Sequence, residues 1–204
     1  MRLAASASRT ITITNAGNAA ASMEVRPASF VLDPRGKPTV ARERRQWLRL
    51  QPRQLVLAPG RTADVTVTSS APTGAPPGDH PALVLFTTQP ARGSGVAIRM
   101  RIGVVVFVRI AGRIVHHLEL PALRVRRRVL EVVVTNRGNV VERVHVRIVL
   151  LRGSHVLARL DSAGRTLLPH SRAFERFRRS GRLRGPVTAR VEVGEVQRSF
   201  RIRL

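Results

Sequence analysis

The chain has 204 residues, enough for one large or two small domains that bury their own cores. It has no cysteine, which excludes disulfides, thiolate metal sites and cysteine nucleophiles, and aromatics make up only 3% with no tyrosine, which argues against a platform for stacked sugars or bases. The formal net charge is +24, and every basic residue except Lys37 is arginine; GC-rich coding produces that bias unaided, so the charge permits a polyanionic partner without requiring one.

The opening MRLAASASRT lacks the apolar stretch of about 7–15 residues found in export signals. RTITITN (9–15) alternates Ile11 and Ile13 with threonines, the period of a half-buried strand. Asn15-Ala16-Gly17-Asn18 ends it: asparagine bonds its own neighbouring backbone and glycine tolerates positive φ, so the motif is expected to redirect the chain. DPRGKP (33–38), with one glycine and two prolines, reads as a turn and not a phosphate loop. Only TVARERRQWLRL (39–50) could form a turn or two of helix.

Pro59-Gly60 fits the two central positions of a type II turn and leads into the alternating strand ADVTVTS (63–69). PPGDHPALVLFTT (76–88) precedes the longest strand candidate, GVAIRMRIGVVVFVRI (95–110). There Val96, Ile98, Met100, Ile102, Val104, Val106 and Val108 share one parity, and the second half is apolar on both faces, so it should be covered on both sides. Its apolar core IGVVVFV reads as a buried strand, since a membrane span needs about 20 residues.

The order of parts then repeats. LEVVVT (130–135) runs into Asn136-Arg137-Gly138-Asn139, and RTLLPHS leads to RAFERFRR, then RGPVTARVEV and a final strand VQRSFRIRL. His170 stands where the first copy has Gly60, so the second turn must change type or store strain. Repeats this long are domains, and short strands with regular turn signals read as all-β: two tandem immunoglobulin-like β-sandwiches, residues 1–110 and 111–204, with the boundary near Ala111-Gly112. The six turn residues Asn15, Gly17, Pro59, Gly60, Asn136 and Gly138 are assigned structural roles.

Candidate chemistry is sparse. His116 and His117 are adjacent in an expected strand, so they point to opposite faces and cannot share a metal ion; His145, His155 and His170 lack ligand spacing. Asp79-His80 could act as an acid/base pair, but no nucleophile accompanies it and a Pro-Gly-Asp turn explains the aspartate by local hydrogen bonds. No catalytic, metal or cofactor site is assigned. The densest charge is SRAFERFRRSGRLRG, where Arg172, Arg176, Arg178, Arg179, Arg182 and Arg184 form a candidate anion-binding cluster around Phe174 and Phe177. The alternative there is a solvated strand face with both phenylalanines inward. Residues 1–110 carry 15 basic and 5 acidic side chains and residues 111–204 carry 21 and 7, so charge is spread over both domains, which favours the alternative.

TITNAGNAA, EVRPASF, LAPGRTADVTVT, PPGDHPALVLFTT and RIGVVVFVRI together resemble the WxL-interacting proteins of bacterial surfaces, in particular their peptidoglycan-binding-type domain. The first half carries the resemblance best, through Asn15 with Gly17, Pro59-Gly60 and Pro77-Gly78-Asp79-His80; the second joins through TNRGNVVE and LLPHSR. More distantly, the strand, L-x-P-G, strand order resembles immunoglobulin-like domains of the pilus-chaperone type. The first resemblance implies an exported, non-enzymatic binding or spacer module of the cell surface, associating with wall glycan or a surface protein. It also implies a signal peptide, an edge strand before RTITITN and a closing membrane helix; none is visible, so the first domain is expected to lack its first strand and expose an edge. The second resemblance implies an assembly chaperone that offers the strand at 95–108 to a subunit by strand addition, with Arg99, Arg101 and Arg109 as basic anchors; the favoured alternative is that this strand simply pairs within its own sheet. A nucleic-acid partner ranks last, because no nucleic-acid-binding motif is present.

Overall fold

The structure is a computed structural model in which residues 1–41, 47–89, 99–179 and 183–204 are described. Among them every regular element is a strand. Two compact units separate: Met1–Val31 with Val40–Arg113, and Leu32–Thr39 with Ile114–Leu204.

The strands set mainly in the first unit are β1 (Arg2–Ala4), β2 (Ser8–Thr14), β3 (Ala21–Leu32), β4 (Pro38–Ala41), β5 (Leu48–Gln51), β6 (Gln54–Leu57), β7 (Thr62–Ser69), β8 (Gly78–Thr88) and β9 (Arg101–Ile110). One sheet runs β1-β9-β8-β3-β4, with β6 also on β3, and the other β2-β7-β5. The alternation in β7 buries Val65 and Val67 completely, and they meet Val25, Val84, Val106 and Val108 in a core closed by Trp47 and Phe86. The segment 39–50, read as a possible helical turn, holds the end of β4 and the start of β5; Leu48 and Leu50 are buried with Arg49 exposed between them, a period of two. Residues 42–46, the arginine-rich part of that segment, lie outside the described residues; at its described end, burial of the alternating pair fits a strand.

The second unit contains β10 (Leu118–Arg126), β11 (Val129–Asn136), β12 (Glu142–Val144), β13 (Val146–Arg152), β14 (His155–Asp161), β15 (Arg165–Leu167), β16 (Arg172–Arg178), β17 (Pro186–Val193) and β18 (Val196–Arg203). Sheets β10-β11-β16 and β14-β13-β17-β18 enclose an aliphatic core of Leu130, Val132, Val134, Ile148, Leu150 and Val191, with the β12-β15 pair beside them. The chain is therefore two tandem immunoglobulin-like β-sandwiches.

The repeated corners share most of their bonds, though Asn136 Nδ2 also donates to Leu168 O (3.1 Å) and Asn15 O accepts from Gly60 N (2.8 Å). Asn15 Nδ2 donates to the carbonyls of Ala19 (2.8 Å) and Leu57 (2.9 Å), its Oδ1 accepts from Gly17 N (3.0 Å), and its own N donates to Arg61 O (2.9 Å). Asn136 does the same with Val140 (2.8 Å), Leu167 (3.5 Å) and Gly138 (2.9 Å), and its N donates to Ser171 O (2.9 Å). Gly60 has φ +69° and Arg61 N bonds Ala58 O at 3.1 Å, as a type II turn requires. In the second copy His170 takes φ +53°, so that turn keeps its left-handed backbone and stores the strain.

The glycines of the motif serve a purpose other than positive φ, which neither adopts. A Cβ at Gly138 would lie 2.2 Å from Val115 O and 2.9 Å from His117 N, so this glycine permits a close backbone approach. At Gly17 the nearest obstacle is Asn15 Oδ1, at 3.2 Å.

Candidate functional site

β8 and β9 pair antiparallel from Gly78↔Ile110 to Thr87↔Arg101. On its other side β9 meets β1 in parallel, and only over Phe107–Arg109. Met1 N donates to Val105 O at 3.0 Å and Phe107 N to Met1 O at 2.9 Å, so odd-numbered residues of β9 turn their backbone groups outward. Consistently, the even-numbered Met100 accepts at its carbonyl from Thr88 N of β8, at 3.0 Å. The outward groups of Arg101 and Gly103 thus face an edge that no strand occupies among the described residues.

Side chains of the even residues trace one face. Val108 and Val106 are fully buried, Val104 packs at the margin of the core, and Ile102 and Met100 are 57% and 59% exposed. The apolar stripe therefore outruns the core and continues along the free edge. The run IGVVVFV is accordingly not a wholly buried strand: its first two residues are exposed, because nothing described packs over that end. Val96 and Ile98 lie outside the described residues.

At the other end of the hairpin stands a buried ion pair. Asp79, whose side chain has no exposure, takes both Nε and Nη2 of Arg109, the latter at 2.8 Å, while Arg2 Nη2 lies 3.8 Å away. The hydrogen bonds that Arg109 donates to Asp79 raise the affinity of its guanidinium for the proton. This corrects two readings: Asp79 belongs to a strand, not to a turn that it caps, and Arg109 is already neutralised instead of awaiting a partner's charge. His80 is equally occupied, its ring stacked on Trp47 at 4.0 Å and its Nε2 2.8 Å from Pro76 O.

His116 and His117 lie in the connection before β10, not in a strand, and pair with different carboxylates: His116 Nδ1 with Glu142 at 2.6 Å and His117 Nε2 with Glu119 at 3.6 Å.

The arginine cluster is dispersed. Arg172, Arg176 and Arg178 alternate on the exposed face of β16. Arg176 Nε donates to Glu131 at 2.9 Å; Arg179 caps the carbonyls of Leu183 (2.8 Å) and Arg127 (2.9 Å). Arg184 offers its carbonyl to Arg152, and Arg182 lies outside the described residues. Phe177 faces the core, but Phe174 stands on the arginine face with Arg124 over its ring at 5.7 Å, so the two phenylalanines do not both point inward. The signal available in the sequence was their odd spacing of three, which in a strand sends them to opposite faces.

No family model and no curated protein matches the chain. Solved structures do. A chain of the chaperone–tip adhesion subunit pre-assembly complex from the archaic Csu pili of Acinetobacter baumannii is 16% identical, with TM-score 0.54, over 98% of this chain and 94% of that one. A chain of the chaperone–tip adhesin complex of CFA/I fimbriae biogenesis gives 11%, 0.57, 99% and 93%, and the YadV chaperone 13%, 0.55, 100% and 96%. The fold is that of the two-domain all-β pilus chaperones. Of the two resemblances, these matches bear out the more distant one and give the WxL-interacting family no support.

Proposed function

We propose that the protein is a non-enzymatic assembly chaperone of the bacterial envelope, which lends the edge of β9 to a secreted surface subunit by strand addition, with residues 1–110 as the donor sandwich and 111–204 as the second. The observation that carries this reading is the coincidence, on one short segment, of outward backbone groups at Arg101 and Gly103 with exposed Met100 and Ile102 at alternate positions. Main-chain hydrogen bonds supply affinity in such pairing, and alternate side chains entering the partner's pockets supply specificity. Its shape-relatives are chaperones, two of them crystallised with or described by their adhesin complexes. Association with wall glycan has less behind it, since Arg176 and Arg179 are engaged by groups of their own unit.

The test is co-expression with a secreted, β-rich surface subunit from the same bacterium, scored as soluble complex. The double variant Met100→Asp, Ile102→Asp should fold, since both side chains are more than half exposed, yet lose the complex. An undiminished complex with the double variant rejects strand addition at this edge. Sedimentation of both proteins with purified wall, persisting at about 0.5 M salt, would favour the glycan reading instead.

A further inference from the structure

The sheet β10-β11-β16 carries a second unusual edge. Its register sets Arg124, Glu131 and Arg176 side by side in one row and Arg126, Val129 and Arg178 in the next. Glu131 is 4% exposed and is met by Arg176 at 2.9 Å and Arg124 at 3.6 Å. That single carboxylate leaves Arg126, Arg172 and Arg178 of the same face without an ionic partner among the described residues. The face borders a cavity of about 310 Å³, walled by Phe174 and by Asp33, Pro34 and Arg35. The Asp33 carboxylate is already occupied there, accepting Arg35 N and Lys37 N at 2.8 Å each.

The backbone of β16 supplies the second observation. Asn136 N donates to Ser171 O (2.9 Å) and Arg179 N to Arg128 O (3.0 Å), so odd-numbered residues of β16 bond β11 and even-numbered ones face outward. Phe174 N, one of the outward groups, donates to Pro34 O at 2.8 Å, and past that point Arg176 and Arg178 face an edge that no strand occupies among the described residues. The edge thus already accepts one carbonyl from a distant part of the chain.

We infer that this edge and face bind an extended peptide segment with acidic side chains at alternate positions. A strand laid beside β16, continuing from Pro34, sends every second side chain onto the arginine face, within cross-strand reach of Arg178 and next to the Arg176–Glu131 pair. Carboxylates there would meet guanidinium forks that present paired donors, beside a cavity whose arginines outnumber its two carboxylates. An inorganic phosphate or a lipid headgroup could use the guanidinium groups but has no use for the backbone edge.

The experiment is fluorescence anisotropy of a fluorescein-labelled (Glu-Val)4 peptide with the full chain. Saturable binding is expected, absent with (Lys-Val)4, and at least tenfold weaker in the Arg126→Ser, Arg178→Ser double variant. Arg178→Pro, which also removes an outward N–H that makes no ladder bond, should weaken binding more than Arg178→Ser. Ile102→Asp should leave the affinity unchanged, which separates this site from the edge of β9. Equal affinity in the serine double variant overturns the inference. So does displacement by inorganic phosphate or phosphatidylglycerol vesicles as effective as that by unlabelled peptide, since it would mark a general anion surface.

Discussion

Asn136 and Asn15 hold equivalent corners of the two sandwiches, but Asn136 is fully buried and adds a bond to Leu168 O (3.1 Å), whereas Asn15 is partly open to solvent. Water can replace the partners of the second and not those of the first. Asn136→Ala should therefore cost about 2 kcal/mol, leaving buried carbonyls unpaired, and Asn15→Ala only about 0.5–1 kcal/mol. Trp47, the one tryptophan, reports on the first unit alone, and circular dichroism reports on both. In urea, Asn136→Ala should shift the dichroism transition more than Asn15→Ala shifts the tryptophan signal; equal shifts would contradict the burial argument.

Glycine at the two corners was legible as a turn residue but not for its purpose. Sequence spacing shows a glycine two residues after an asparagine; it cannot show that the strand-to-strand connection at Val115 to His117 passes over Gly138 and not in the same way over Gly17. Gly138→Ala places a methyl 2.2 Å from a carbonyl oxygen and should cost about 3 kcal/mol or more, whereas Gly17→Ala meets only a side-chain oxygen at 3.2 Å and should cost under about 1 kcal/mol. His170→Gly works in the opposite direction. It relieves about 1–2 kcal/mol of left-handed strain against about 0.5–1 kcal/mol of added unfolded-state entropy, for a net gain of about 0.5 kcal/mol. Denaturant midpoints of the three variants check the order, and a destabilised His170→Gly would mean that the imidazole makes up for its backbone.

What the sequence made readable was whatever has a short period. Alternation placed Ile11 with Ile13 and Val65 with Val67 on their strands, and the Asn-x-Gly-Asn recurrence disclosed the duplication. Relationships between distant strands left no such trace. Nothing local says that Asp79 stands directly across from Arg109, that Arg124 and Arg176 flank Glu131, or that Ile102 lies beyond the end of the core while Val106 lies within it. The segment around β9 is legible as a long alternating run, and its free edge required the register of β1.

The ion pair at the base of the β8–β9 hairpin should be structural. Asp79→Asn strips the counter-charge from Arg109, whose side chain is 32% exposed, so water relieves part of the penalty. A loss of about 2 kcal/mol is expected, below the roughly 3–5 kcal/mol of a fully buried pair. The Trp47 signal, close to His80 on the same strand, should report it in urea. An unchanged midpoint would show that Arg109 finds another anchor.

Glu175 predicts a particular dependence on pH. Burial raises its pKa above 4.5, and the opposing fields of Arg165 and His145 only partly restore it. The folded state thus holds the proton more tightly than the unfolded chain does, so the contribution of this group is complete below about pH 4.5 and is lost as pH rises through its folded pKa. Asp33 has the opposite sign: main-chain donors, Lys37 N first, lower its pKa, and what it contributes above pH 3.8 is lost as pH falls through its folded pKa. The two windows do not overlap. Glu175→Gln removes the upper one, so the stability difference between variant and wild type should move in favour of the variant from pH 4 to pH 8 and level off once Glu175 has lost its proton. Urea titrations in parallel at each pH give that difference directly, because the remaining groups cancel; a difference that stays flat across the range would mean that Arg165 fully offsets the burial of the carboxylate.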